Sequence, residues 1–461
     1  MKQTKGVKTL LGDPKKALIK LSIPIILGNI AHTIYSIVDA IWVAGLGAKS
    51  LAAVGFFFPF FFISLAIGMG LGIGGGSAIS RCIGKHDRDT AGNIATHTII
   101  LTVLFSIGFS IPLYLLIGFI YQKIGAGEAL GQSIAYARVM IIGTFFLFFA
   151  QTASAILRSE GDTKRGMWAM LLGSVLNIIL DPIFIYVFGM GVAGAAWASI
   201  ISMALSSLFM FNWLFLKKDT FVPLHFKGFR FEIKILKEIF NVGFPSTIQM
   251  GIMSISMFIM NVIIVGVGGP NGVAVYATGW RVLMLGTMPV FGIAAAIVPI
   301  SGAAFGAKEF QKLKIAYNYA IKVGIIIEVI SAIFIIALAP IIALAFTYSK
   351  ATAHLAPELV NFIRITSLSY PAVAIGPVSG SLFQGLGKGN HALFVTVLRT
   401  IIFTIPLTYI FAYPLGLGLN GIWWGIGLAN LSGATIAYIW VKTVINRLLL
   451  EKTDKNVSIQ A

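Results

Sequence analysis

Charge is what this sequence has least of. Only 11% of its 461 residues are Asp, Glu, Lys or Arg, where a soluble domain carries about 25%. So little charge cannot keep a surface in water. With 57% hydrophobic residues and a mean hydropathy of +0.92, most of the chain must face lipid. Acids are the rarer sign, 16 against 34 bases, for a net charge of +18. In a soluble protein that excess would suggest nucleic acid. In a membrane protein it is the Lys/Arg excess of cytoplasmic loops, and no nucleic-acid partner is expected. The one cysteine, Cys82, excludes an intrachain disulfide and a cysteine metal centre. There is no Walker A motif, so the chain carries no ATPase of its own. No catalytic constellation marks an enzyme, and no cofactor is expected apart from a coupling ion. The Gly-rich run at 68–76 lies inside an apolar segment with no strand before it, so close helix packing explains it better than phosphate binding.

What is present is long unalternating apolar runs, such as 95–119. Barrel strands would alternate over ~10 residues. Runs of this length are helices able to cross a ~30 Å hydrocarbon core. Spans are expected near 17–45, 52–80, 92–120, 134–157, 166–188, 193–216, 239–266, 273–304, 315–346, 358–384, 391–413 and 418–445. The connections alternate in charge, with 25 Lys and Arg on one side against Lys49, Lys123 and Lys350 on the other. That asymmetry places both termini in the cytoplasm. The basic N-terminus reads as a cytoplasmic tail, since no small-residue cleavage site follows a short apolar region. The connection 217–238 is basic and aromatic, and its later part suits an interfacial amphipathic helix.

The halves repeat. Pro24, Gly45, Ala53 and Val54 recur as Pro245, Gly266, Ala274 and Val275; Arg138 and Gly161 as Arg364 and Gly387; Gly191, Gly194 and Trp197 as Gly418, Gly421 and Trp424. The offset drifts from 221 to 227, as small loop insertions would make it. The reading is therefore an all-α integral membrane protein of twelve transmembrane helices in two six-helix lobes. Six spans per unit give both repeats one topology, hence a pseudo-twofold axis along the membrane normal, a transporter arrangement. The divisions are 1–216 (cytoplasmic tail and spans 1–6), a cytoplasmic basic linker 217–238, 239–446 (spans 7–12) and a cytoplasmic tail 447–461. A monomer in the cell membrane is expected.

An ionisable residue in mid-membrane is a functional candidate by default. His32, Tyr35, Ser36 and Asp39 fall on one face of span 1; Ser174, Asn177 and Asp181 on one face of span 5. Pro182 cannot donate to Ile178, which leaves that carbonyl loose. Two carboxylates, an amide and a loose carbonyl are hard oxygen ligands for a proton or a small cation, with Na⁺ suited to Asp39, Asn177 and Asp181. The competing reading is static helix–helix hydrogen bonding. The repeat favours function, because the second half has Met260 and Thr408 at the equivalent places, so the scaffold does not require acids there. Helix packing accounts equally well for His32 and Ser36. Glu328 in span 9 reads as a second coupling acid or as a structural partner of a neighbour such as Lys322, the latter favoured. Arg138 and Arg364, kept by both repeats, read as architectural. Gln249 heads a stripe of Met250, Met253, Met257 and Met260 in span 7. Soft Met surfaces suit promiscuous binding, and ordinary packing explains the stripe as well.

Twelve spans in two lobes, a basic linker after span 6, Pro24 and Asp39 in span 1, N-x-x-x-D at 177–181 and GMGVAGAAWASIIS entering span 6 resemble the multidrug and toxic compound extrusion (MATE) transporters. The resemblance covers the whole chain and is closest to the prokaryotic DinF-like branch, whose acidic site lies in the N-lobe. It implies export of cationic or amphipathic drugs driven by H⁺ or Na⁺, with small-molecule drugs and the lipid bilayer as partners. It carries a coupling site over to Asp39, Tyr35, Asn177, Asp181 and Ser199, and places Met203 on the same cavity. Ser36, His32, Gln249, Met253 and Met257 are further candidates for the substrate cavity, and Pro24 is a candidate hinge. Span 7 offers only Gln249 and Met260 and span 10 no Asp, so a C-lobe cation site of the NorM type is not expected. A lipid-precursor flippase of the same superfamily is the alternative; it would favour an Arg-rich cavity over paired acids. A non-transporting membrane enzyme or scaffold is the other.

Overall fold

The computed structural model describes residues 4–217, 219–349 and 352–460. Lys2, Lys218 and Lys350, counted above for topology, lie outside them. The described chain is helical: α1 (Lys5–Leu11), α2 (Pro14–Ala44), α3 (Ala48–Gly84), α4 (Arg88–Ile124), α5 (Leu130–Ser159), α6 (Thr163–Pro182), α7 (Gly191–Phe211), α8 (Ile233–Gly306), α9 (Phe310–Phe346), α10 (Ala356–Ser367), α11 (Tyr370–Val373), α12 (Ile375–Gly385), α13 (Gly389–Val397), α14 (Ile405–Ala412) and α15 (Gly418–Gln460). Among the described residues, ten helices are long and apolar enough to cross a membrane, and the bent pair Ala353–Ser367 and Tyr370–Gly385 supplies one more span. One of the ten, α8, has 74 residues. Unbroken, it would run ~110 Å, far beyond a ~30 Å core. Its backbone leaves helical geometry at Gly269, φ 59° and ψ −157°, where an L side chain would be strained. Two spans therefore meet there, and the total is twelve.

Two details differ from the expected spans. The tenth is broken after Ser367 by a 51° bend. The amphipathic end of the linker is not a separate surface helix: from Ile233 it is already the first turn of α8.

The chain forms two compact units, Met1–Gly12 with Lys20–Thr247, and Asp13–Ile19 with Ile248–Ala461. The first packs Phe57, Ile117, Tyr121, Ile141 and Ala196 of α3, α4, α5 and α7 into one core. The second packs Met260, Tyr276, Phe362 and Trp423 of α8, α10 and α15. The repeat is visible inside each. A Cβ on Gly45 would strike the Tyr186 hydroxyl, and one on Gly266 the Tyr413 hydroxyl. Those hydroxyls donate to Trp42 O at 2.7 Å and to Ile263 O at 3.2 Å. His86 and Lys308, 222 residues apart, are the two described non-glycine residues with positive φ, each closing the turn before a span.

The linker is tied to the first unit. Glu160 Oε2 accepts from Phe221 N at 2.7 Å and Val222 N at 3.2 Å. Arg88 Nε donates to Phe221 O at 2.7 Å. His225 N donates to Thr96 Oγ1 at 2.9 Å, and Glu232 N to His97 Nε2 at 3.0 Å. The buried His97 also lies 2.8 Å by Nδ1 from Asn93 O. Since Nε2 accepts, Nδ1 carries the proton, and His97 is neutral.

Candidate functional site

The site lies within the first unit, where α2, α5, α6 and α7 each contribute a polar side chain to an apolar interior. Asp181 is fully buried at the end of α6. Pro182 cannot extend the α-helical ladder, and the helix widens into a π turn over Ile183–Val187, a feature frequent at functional sites. One turn before Asp181, Asn177 Nδ2 bridges Asp181 Oδ1 at 3.4 Å and Ser199 Oγ of α7 at 3.1 Å. From α2, the Asp39 carboxyl comes within hydrogen-bonding reach of Asp181. Tyr35 stands one turn before Asp39, close to both acids.

The atoms left over define the chemistry. Asp181 Oδ2 and Asn177 Oδ1 are buried and receive no donor from any described residue. Both are acceptors, and buried polar groups are rarely left without a partner. Neither Asp39 nor Asp181 forms an ion pair with a described Lys, Arg or His. Two like charges so close cannot both stay uncompensated in a medium of low dielectric. Two carboxyls and the Asn177 Oδ1 make a donor set that a shared proton or a small metal ion would fit. Hard oxygen donors with no sulfur or imidazole suit such an ion.

Tyr136 of α5 was not anticipated. It is buried beside Asp39, Tyr35 and Asp181, with its ring edge-on to Phe57. Its one sequence signal was a hydroxyl inside a predicted span. The other candidates are more dispersed. His32 packs edge-on against Tyr35 at 4.8 Å, and the Ser36 hydroxyl donates to His32 O at 2.9 Å; both residues are exposed on α2. Met203 lines a narrow apolar crevice with Phe57, Phe61, Met140 and Ile200, and none of the acids lines it. Pro24 sits inside the unbroken α2. Gln249, Met253 and Met257 belong to the second unit. Gln249 Oε1 accepts from Gln384 at 3.4 Å, and the two methionines are partly exposed.

The equivalent place in the second unit is informative. Met260 and Thr408 meet as Asp39 and Asp181 do, the Thr408 hydroxyl 3.5 Å from Met260 Sδ. The same crossing of helices is thus filled once by neutral groups and once by two acids.

A family model described as MatE matches residues 24–183 and 245–410, two segments that begin at Pro24 and Pro245, the first pair of the internal repeat. A relative named Multidrug export protein MepA, from Staphylococcus saprophyticus, is 26% identical over 442 residues, covering 95% of this chain and 96% of its own. A solved transporter of the MOP superfamily from Pyrococcus furiosus, described as having a binding pocket whose reverse polarity suggests a different function, is 43% identical with a TM-score of 0.94. The match covers 97% of this chain and 99% of that one. A MATE protein solved in a bent conformation is likewise 43% identical, with a TM-score of 0.92 over 98% and 99% of the two chains.

Proposed function

From the chain's membership of the MatE family, the multidrug and toxic compound extrusion transporters, we propose that it is a cation-coupled antiporter that exports cationic or amphipathic drugs. Export of several drugs is what the name of the MepA relative states for that protein. A family transporter with no catalytic chemistry of its own is not an enzyme.

The observation that carries the coupling is the acid pair without a basic partner. When a proton or Na⁺ occupies the site, Asp39 and Asp181 are held together and the local charge is balanced. When it leaves, the repulsion that remains favours a different packing of α2 against α6. A ligand shifts such an equilibrium only by its differential affinity for the two arrangements. Asn177 and Ser199 orient Asp181, and Tyr35 and Tyr136 close the site from the other sides. Pro24 is the proposed hinge: it lacks the N–H that would bond Lys20 O, so α2 is weakest there. The acid pair stands in the N-terminal half alone, the pattern of the DinF-like branch. Cationic cargo is favoured over lipid precursors because the buried charge at this site is acidic.

The test is transport of a cationic dye such as ethidium by protein reconstituted into vesicles, with H⁺ and Na⁺ gradients imposed separately. One gradient should drive uptake against the concentration difference, and dissipating it should stop transport. Equal transport with neither gradient would overturn the antiport reading.

A further inference from the structure

Glu328 lies on α9 in the second unit, and its carboxylate is 0% exposed. Neither oxygen has a hydrogen-bond partner among the described residues. It does not pair with Lys322, as the sequence had suggested: Lys322 lines a separate cleft with Tyr438 and Lys442. The charged groups on the surrounding elements are spent or turned away. Arg281 of α8 and Arg364 of α10 are exposed, Glu358 accepts from Trp423 at 2.6 Å, and Arg399 donates to Asn430 at 3.4 Å. The titratable group near enough to sense a charge on Glu328 is the Tyr370 hydroxyl, with Ser367 beside it, and neither of them donates to Glu328. The Ser367 hydroxyl is itself buried without a partner in hydrogen-bonding geometry. Leu283 and Ala332, with Ile335 and Ile336, pack with Tyr370 into one apolar cluster.

Ser367 and Tyr370 are the two residues that flank the 51° bend of the tenth span. Within that bend Asn430 donates to the Ser369 hydroxyl at 3.2 Å. The residue 222 positions before Glu328, by the register of His86 and Lys308, is Ser106, whose hydroxyl donates to Val103 O at 2.8 Å. A serine satisfied by its own helix is enough for the fold at this depth. A buried carboxyl left unpartnered is costly, so its presence calls for a use.

We propose that Glu328 is a second proton-binding site, buried in the C-terminal unit beside Tyr370 and Ser367 at the bend of the tenth span, and that it gives up its proton when that bend rearranges. An ionised carboxylate with no cation nearby is expensive in this packing. The proton therefore stays while the bend keeps its present form, and leaves when movement of α10 against α11 admits water or a polar partner. By linkage, loss of the proton favours the rearranged bend to the same extent. The site itself is independent of the Asp39–Asp181 reading; only its use in transport rests on antiport.

The experiment is infrared difference spectroscopy of the full chain in lipid bilayers, with isotope-labelled glutamate in one sample and labelled aspartate in another. Glu160 and Glu328 are the buried glutamates, so the work is done in a Glu160→Gln background. The glutamate-labelled protein should show a protonated-carboxyl band that disappears on alkalinisation and shifts on adding ethidium. Glu328→Gln should remove the band, and Tyr370→Phe should keep it with a changed frequency, which covers the case of a poorly folding Glu328→Gln. A band unchanged by ethidium and by Tyr370→Phe, or one that survives in Glu328→Gln, would overturn the proposal. The aspartate-labelled sample reports the other pair separately: a silent Asp signal beside a responsive Glu signal would refute coupling at Asp39 and Asp181 and leave Glu328 standing.

Discussion

At the scale of the residue, the proposed coupling rests on two carboxyls that no described basic side chain pairs with. Asp39 and Asp181 meet where the other half of the chain has Met260 and Thr408 in contact. Replacing an acid there by its neutral isostere removes the cation's partner and one half of a like-charge pair without changing shape. Asp39→Asn and Asp181→Asn should each lower gradient-driven efflux at least ~10-fold, about 1.4 kcal/mol. Thermal stability should stay within about 1 kcal/mol of the parent. Efflux assays and melting curves on the same preparations check this. Wild-type efflux in either variant would mean that the acids serve helix packing.

At the scale of the element, the strap that joins the two halves is held by a group that titrates. Glu160 sits between the fourth and fifth spans, and burial pushes its carboxyl up to about 8 from 4.5. The amides of Phe221 and Val222 oppose that shift, as does Arg165 more weakly, while Asp162 adds to it. The docked strap therefore holds the proton more tightly than the undocked one. Docking is strongest below pH ~4.5, weakens as pH rises, and levels off above ~8. Hydrogen exchange at Phe221 and Val222 should accelerate over that window in the parent protein. In Glu160→Gln it should lose this pH dependence beyond the intrinsic chemical rate. An identical pH profile in the two proteins would remove Glu160 from the latch.

At the scale of the whole molecule, the charge asymmetry of the connections predicts where the ends lie. With Cys82 the one cysteine, and buried, a Cys82→Ser background allows single cysteines to be placed at will. Cysteines in the tail before Pro14 and near Lys452 should react with a membrane-impermeant maleimide only from the cytoplasmic side. One placed at Lys49 should react only from the outside. Reaction of Lys49→Cys from the cytoplasmic side would invert the topology.

Span number, helical class, the duplicated plan and both candidate acids were legible in the sequence. Spans, helices and acids follow from the cost of placing polar backbone or charge in hydrocarbon, which is set residue by residue along the chain, and the duplication follows from residues matched at a nearly constant offset. The break at Gly269 falls where the sequence ends one span at 266 and opens the next at 273, across Gly268–Gly269–Pro270–Asn271–Gly272. The bend after Ser367 was not legible, because apolar composition stays continuous through it, and the start of α8 at Ile233 was not, because charged linker residues fold into its first turns. Nor could one sequence reveal which polar atoms remain without partners. Tyr136 joins the acids, Lys322 turns away from Glu328, and Asn177 spends its amide on Asp181 and Ser199 only through packing between helices distant in sequence. Hydropathy decided which segments enter the membrane; the contacts between them decided which charges are left uncompensated there.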